Sequence, residues 1–116
     1  MIIRRFEDIL AWQKAKILTI KIYLILKNNK NYSFKDQMQR ASISIMNNIA
    51  EGFERKSDKE FKHFLFIAKG SCGEVRSMLY IANEFNYISK ENNKELYLLT
   101  LDISRLLSGF IKKLKN

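Results

Sequence analysis

The chain has 116 residues, 47% hydrophobic and 28% charged, with no proline and one cysteine. That size and balance describe one folded domain and exclude a disordered tail or a disulfide scaffold. Lys and Arg total 21 against 12 Asp and Glu, a net charge of +9, which favours polyanionic partners: RNA, DNA or an anionic membrane surface.

AT-rich coding also enriches Lys, Ile and Asn, but it should raise Glu together with Lys, and the acidic count stays low. The longest unbroken aliphatic or aromatic run, Ile22 to Leu26, has five residues, whereas a membrane span needs roughly 20. The first residues carry no apolar stretch or small-residue cleavage site of a secretory signal. Cys72 has no second cysteine to pair with. These features lead us to expect a cytoplasmic protein with no membrane span.

Four helices are expected in chain order, at about residues 6–27, 34–53, 58–86 and 90–114. The first ends in the polar run Lys27 to Asn31, which is poor in helix formers. The second opens on Ser33, with Asp36 three residues on in the form of a capping box. Ser57 with Glu60 repeats that signal for the third, and Ser89 opens the fourth. Lys112, Lys113 and Lys115 sit at the last turn, where the helix dipole favours cations. Periodicity agrees. Phe61, Phe64, Leu65, Ala68, Cys72, Val75, Leu79 and Ala82 form one stripe on the third helix. Leu96, Leu99, Ile103, Leu106, Phe110 and Ile111 form one on the fourth. Short connections favour antiparallel neighbours, so the expected fold is all-α, a single up-down-up-down antiparallel four-helix bundle.

Two helices carry more apolar surface than one bundle can bury. On the first, Ile17, Leu18, Ile20, Ile22, Tyr23, Leu24, Ile25 and Leu26 go most of the way round. On the third, Ile67, Met78, Ile81 and Phe85 lie away from the main stripe. Single surface hydrophobics are common, but second faces on two helices point to self-association, with these four residues as the candidate interface.

The second helix carries a polar line, Gln37, Arg40, Ser44, Asn48 and Glu51, beside an apolar line of Met38, Ala41, Ile45, Ile49 and Gly52. It reads either as a ligand site or as an internal network that fixes helix register, and its near-neutral charge favours the network over a phosphate site. Glu74 is a natural partner for Arg40. Gly70 and Gly73, unfavourable inside a helix, suggest close approach of another backbone.

Basic residues repeat elsewhere. Lys62, Lys69 and Arg76 are seven apart on the third helix and form a line ~21 Å long, extended by Lys59, Lys56 and Arg55. Lys14 with Lys21, and Arg105 with Lys112, make similar pairs. Such lines can follow phosphates without reading bases. Material for catalysis is thin. The one histidine, His63, and Cys72 lie nine residues apart and half a turn out of line on one helix. No metal-ligand cluster or phosphate-cradling glycine loop is visible, so no enzyme activity, metal or cofactor is expected.

The run Gln37 to Gly52 resembles the hallmark of the four-helix-bundle proteins encoded by intervening sequences in bacterial 23S ribosomal RNA genes. Phe6-Glu7-Asp8 and Trp12-Gln13 before it agree, as do Arg55, Ser57, Glu60, Phe61, Phe64, Leu65, Ala68, Gly70, Ser71 and Glu74 after it. The fourth helix matches only in being helical, and the proline frequent in the family's first connection is replaced here by Asn28 to Asn31. The resemblance extends to accessory proteins of diversity-generating retroelements. It implies a non-enzymatic homopentamer that binds nucleic acid through a basic surface and associates with a reverse transcriptase. Two functions follow as expectations: a nucleic-acid-binding module, or a scaffold that docks a protein partner.

Overall fold

The structure, a computed structural model, describes residues 2–115. A 3-10 turn, Phe6–Asp8, leads into α1 (Leu10–Leu26), α2 (Tyr32–Phe53), α3 (Asp58–Glu84) and α4 (Lys90–Lys113). α1 packs on α2 and α4, and α3 packs on the same two, so α1 and α3 stand at opposite corners of a four-helix square. Side-chain pairs fix the directions. Lys14 meets Asp102 and Lys21 meets Glu95; Ser44 meets Ser71 and Gln37 meets Glu74; Phe61 meets Phe110 and Tyr80 meets Tyr97. In each case numbers rise along one helix as they fall along the other. The bundle is therefore up-down-up-down, 43 × 22 × 19 Å.

The core is the periodic stripe of each helix. Leu18, Ile22 and Leu26 from α1, Met38, Ile45 and Ile49 from α2, Leu65 and Leu79 from α3, and Leu96, Ile103 and Leu107 from α4 are fully buried. Each contributes about 1.5–3 kcal/mol by leaving water. Beside them Cys72 is fully buried and donates its S–H to the Thr100 carbonyl at 3.1 Å. Burial pushes its thiol pKa up from 9.0 to about 11, with the nearby Arg76 charge opposing the shift.

Two helix starts differ from the sequence expectation. α1 begins at Leu10, not near Phe6, because the preceding 3-10 turn swings Ile9 into the core at 2% exposure and sets Phe6 edge-on against Trp12 at 5.2 Å. α2 begins at Tyr32 and is capped by Asn31, not Ser33. The Asn31 side chain accepts from the Phe34 N–H at 3.2 Å and donates to the Tyr87 hydroxyl at 2.9 Å. Asn caps as well as Ser, and only Asn31 also ties the connection to the far loop. The Ser57 and Ser89 caps form as expected, accepting from the N–H groups of Glu60 and Asn92. α3 closes with Asn86 at φ 56°, the left-handed position after a helix that Asn tolerates, while the Tyr87 N–H reaches back to the Ala82 carbonyl at 2.9 Å.

The surplus apolar residues divide. Met78 packs on the core and belongs to no outer face; three residues after Val75 and four before Ala82, both buried, it sits at the edge of the core stripe and is half-buried. Ile67 and Ile81 on α3 and Phe85 just past its end are exposed, as are Leu10, Ile17, Ile20 and Leu24 on α1. Because α1 and α3 are diagonal, these two apolar faces look out from opposite corners. No described helix is long and apolar enough to cross a membrane.

Candidate nucleic-acid interface

The polar line of α2 lies along its seam with α3. Its middle is half-buried and locally closed. The Ser44 and Ser71 hydroxyls meet at 2.8 Å, and Asn48 donates to the Ser44 carbonyl at 2.8 Å and to its hydroxyl at 3.0 Å. The ends are exposed: Gln37 donates to Glu74 at 3.1 Å, and Glu51 accepts from Arg55 at 2.8 Å. Arg40 does not reach Glu74. It turns one helical step back to Asp36 at 2.8 Å, with its side chain 78% exposed. The register places Gln37 level with Glu74, so the amide takes the contact expected for the guanidinium.

The glycines also differ from expectation. A Cβ on Gly70 would meet nothing within 4 Å, and on Gly73 only the Arg76 guanidinium at 3.9 Å, so no backbone crowds either. The close approach is at Gly52, where a Cβ would lie 2.7 Å from Phe64 Cβ and 3.3 Å from the Phe61 carbonyl oxygen.

The basic residues separate into neutralised and uncompensated groups. On the α1–α4 seam Lys14 is hydrogen-bonded to Asp102, and Lys21 to Glu95 at 2.7 Å. The bond from Lys14 holds the Asp102 carboxyl below its ordinary pKa. Arg55 is tied to Glu51, lies 3.9 Å from Glu60, and covers the Phe64 ring at 4.7 Å. By contrast Lys56, Lys59, Lys69 and Arg76 form no ion pair with the described residues. The buried Arg76 Nη1 has no acceptor.

Lys62, Lys69 and Arg76 are half-buried on the flank of α3 that also carries Tyr80. The Arg76 charge acts on both Cys72 and Tyr80, and the contact of Tyr80 with the Tyr97 hydroxyl raises the Tyr80 pKa. That flank faces α4, where Glu95 and Asp102 are engaged with α1. Arg105 and Lys112 are exposed on α4, and Arg105 adds to the field that lowers Asp102. His63 meets the edge of Phe64 at 5.8 Å, and Cys72 is enclosed in the core, so the two do not form a pair. Among the described residues no three His, Cys, Asp or Glu side chains gather as metal ligands.

The α1 ion pairs could not be read from the sequence, because nothing in it gives the α1–α4 register. The value of Asn31 was legible only as a good capping type in a polar run.

A basic four-helix bundle is the class these features define. The model of the 23S rRNA-intervening sequence protein family matches residues 7–109, and the chain belongs to that family. Among solved structures it is similar to a protein of unknown function from the S23 ribosomal protein family of Bacteroides thetaiotaomicron. The TM-score is 0.83 at 25% identity, over 90% of this chain and 100% of that one. No curated protein matches the chain significantly.

Proposed function

We propose that this chain is a non-enzymatic module that binds nucleic acid through backbone phosphates. The contact row is Lys62, Lys69 and Arg76 on α3, extended toward the start of that helix by Lys59 and Lys56. The observation that carries this reading is the contrast between helices. Lys14 and Lys21 of α1 are neutralised by α4 carboxylates, while Lys69 and Arg76 keep their charge without an ion-pair partner among the described residues. Such a row, ~21 Å from Lys62 to Arg76, releases counterions from phosphates without touching base edges. The family's name refers to an intervening sequence of 23S rRNA, and structured RNA is the first ligand we would test. Lys62→Glu combined with Lys69→Glu should lower affinity for a short RNA duplex at low salt by at least about tenfold and flatten the log–log salt slope by about 2. An unchanged affinity and slope overturn the row.

A second reading, a self-associating scaffold, is favoured by the exposed apolar faces of α1 and α3. Faces at opposite corners suit a head-to-tail contact, α1 of one copy on α3 of the next, which closes into a ring when the rotation allows. A ring would repeat the cationic row and strengthen binding by multivalency. It could also present a surface to a protein partner such as a reverse transcriptase. Light scattering at micromolar concentration tests this: a monomer removes the ring.

A further inference from the structure

At the end of the bundle where α3 begins and α4 ends, a cleft of about 630 Å³ opens between the N-terminal turn, the α2–α3 connection and the last turns of α4. We propose that this cleft takes one unpaired nucleotide, with the base on its aromatic floor and the phosphate on its cationic rim. The proposal rests on the nucleic-acid reading only for the source of that nucleotide.

Three observations point to it. The first is the floor. Phe53, Phe61 and Phe110 line the cleft in an edge-to-face chain, 5.9 Å from Phe53 to Phe61 and 5.3 Å from Phe61 to Phe110. Phe53 and Phe110 stay half-buried, so part of each ring remains accessible. Such a floor suits a flat, poorly hydrated group, and a base is one.

The second is the charge of the rim. Two carboxylates line the cleft, and both are engaged: Asp8 lies 3.6 Å from Arg5, and Asp58 accepts the Lys115 backbone N–H at 3.2 Å. Lys56 and Lys113 line it as well and form no ion pair among the described residues, and Arg105 lies beside them. With Arg55, four cations face two carboxylates, so the rim is net positive next to an apolar floor. That combination asks for a ligand with a flat apolar part and a phosphate. The volume lies within the range of small-molecule sites.

The third is Gly109. Glycine is unfavourable inside a helix, and here neither packing nor backbone conformation calls for it, because a Cβ would meet nothing within 4 Å. Gly109 lines the cleft, and a side chain at that point would project into open space at its mouth. The missing side chain keeps the wall low. The cleft also lies in line with the proposed phosphate row. Lys62, Lys59 and Lys56 lead toward the start of α3, so a strand following the row arrives there with its terminal nucleotide.

The test is a heteronuclear NMR titration of the whole chain with AMP, adenosine, inorganic phosphate and decanoate in turn. AMP is expected to shift the Leu106, Gly109 and Phe110 amides at millimolar concentration. Adenosine and phosphate alone should each bind about tenfold or more weakly. Gly109→Trp, which fills the mouth without touching the core, should abolish the AMP shifts. Arg105→Glu with Lys113→Glu should weaken AMP and leave adenosine unchanged, which separates loss of the phosphate contact from loss of fold. The proposal is overturned if AMP moves none of these amides, if Gly109→Trp binds AMP as well as the wild type does, or if decanoate binds more tightly than AMP. Duplex binding by the α3 row is scored separately. Its absence in a chain that binds AMP removes the row and keeps the cleft, and the converse removes the cleft and keeps the row.

Discussion

Gly52 on α2 and Phe64 on α3 touch so closely that a methyl carbon on the glycine would lie 2.7 Å from Phe64 Cβ. This is the point where the two helix backbones are drawn together at one end of their seam. Gly70 lies on the open side of α3 with nothing within 4 Å. The two positions should therefore respond in opposite directions to the same change. Gly52→Ala should destabilise the bundle by about 1–3 kcal/mol, because overpacking outweighs the gain in helix propensity. Gly70→Ala should stabilise it by up to about 1 kcal/mol. Urea unfolding at one fixed protein concentration measures both, and a Gly52→Ala variant as stable as the wild type or more so would mean that the Gly52 contact relaxes freely.

The Ser44–Ser71 pair at 2.8 Å is the centre of the same seam. Ser71→Ala leaves the Ser44 hydroxyl with only the Asn48 amide for company, and should cost about 0.5–1.5 kcal/mol. Removing both hydroxyls should cost less than the sum of the single changes, because neither is then left unmatched. A double-mutant cycle reads this directly. A coupling energy indistinguishable from zero would mean that the contact does not help to hold register.

Lys14 and Lys21 are the controls for the phosphate row. Each already serves a carboxylate on α4, so Lys14→Gln with Lys21→Gln should change the salt slope of RNA binding by much less than the paired changes on α3 do. The Lys14 variant has a second readout. Asp102 is held below its ordinary pKa chiefly by the hydrogen bond from Lys14. A depressed folded-state pKa adds stability above the unfolded value, and that stability is lost as pH falls through the folded one. In Lys14→Gln the Asp102 pKa should move up and this acid-side dependence should shrink, which side-chain carboxyl NMR can follow.

Most of the fold is legible in the sequence because helix periodicity, serine caps and a polar break are local signals. Ser57 and Ser89 announce α3 and α4, and the stripe from Phe61 to Ala82 gives the buried face of α3. The failures are tertiary. Arg40 takes Asp36 because the α2–α3 register puts Gln37 opposite Glu74, and register is written in packing, not in spacing. Ser33 loses the α2 cap to Asn31 because Tyr87, 56 residues away, supplies a partner for its amide. Cation spacing found the α3 row, but it could not show that the equally spaced lysines of α1 are neutralised. The end cleft draws on three separate stretches of chain, and no local spacing in the sequence brings them together.

Cys72 supplies a test of core integrity that does not depend on any ligand. It is fully buried, and its thiol is raised to about 11 from 9.0 chiefly by loss of water. An acid whose folded-state pKa is raised keeps its proton in the fold after the unfolded chain has released it. Stability from this group is therefore constant below pH 9 and falls as pH rises from about 9 toward about 11. The full loss is on the order of 2–3 kcal/mol. Cys72→Ala should be less stable at pH 7, from the lost packing, but should show a shallower alkaline decline than the wild type, because tyrosine and lysine titrations are common to both. The thiol should also react slowly with a disulfide reagent at pH 8, at a rate set by opening of the bundle and not by thiolate supply at the surface. Rapid labelling of the native chain at that pH, or parallel pH curves for the two proteins, would mean that the α3–α4 seam admits water at Cys72 and that the core is looser there than its packing indicates.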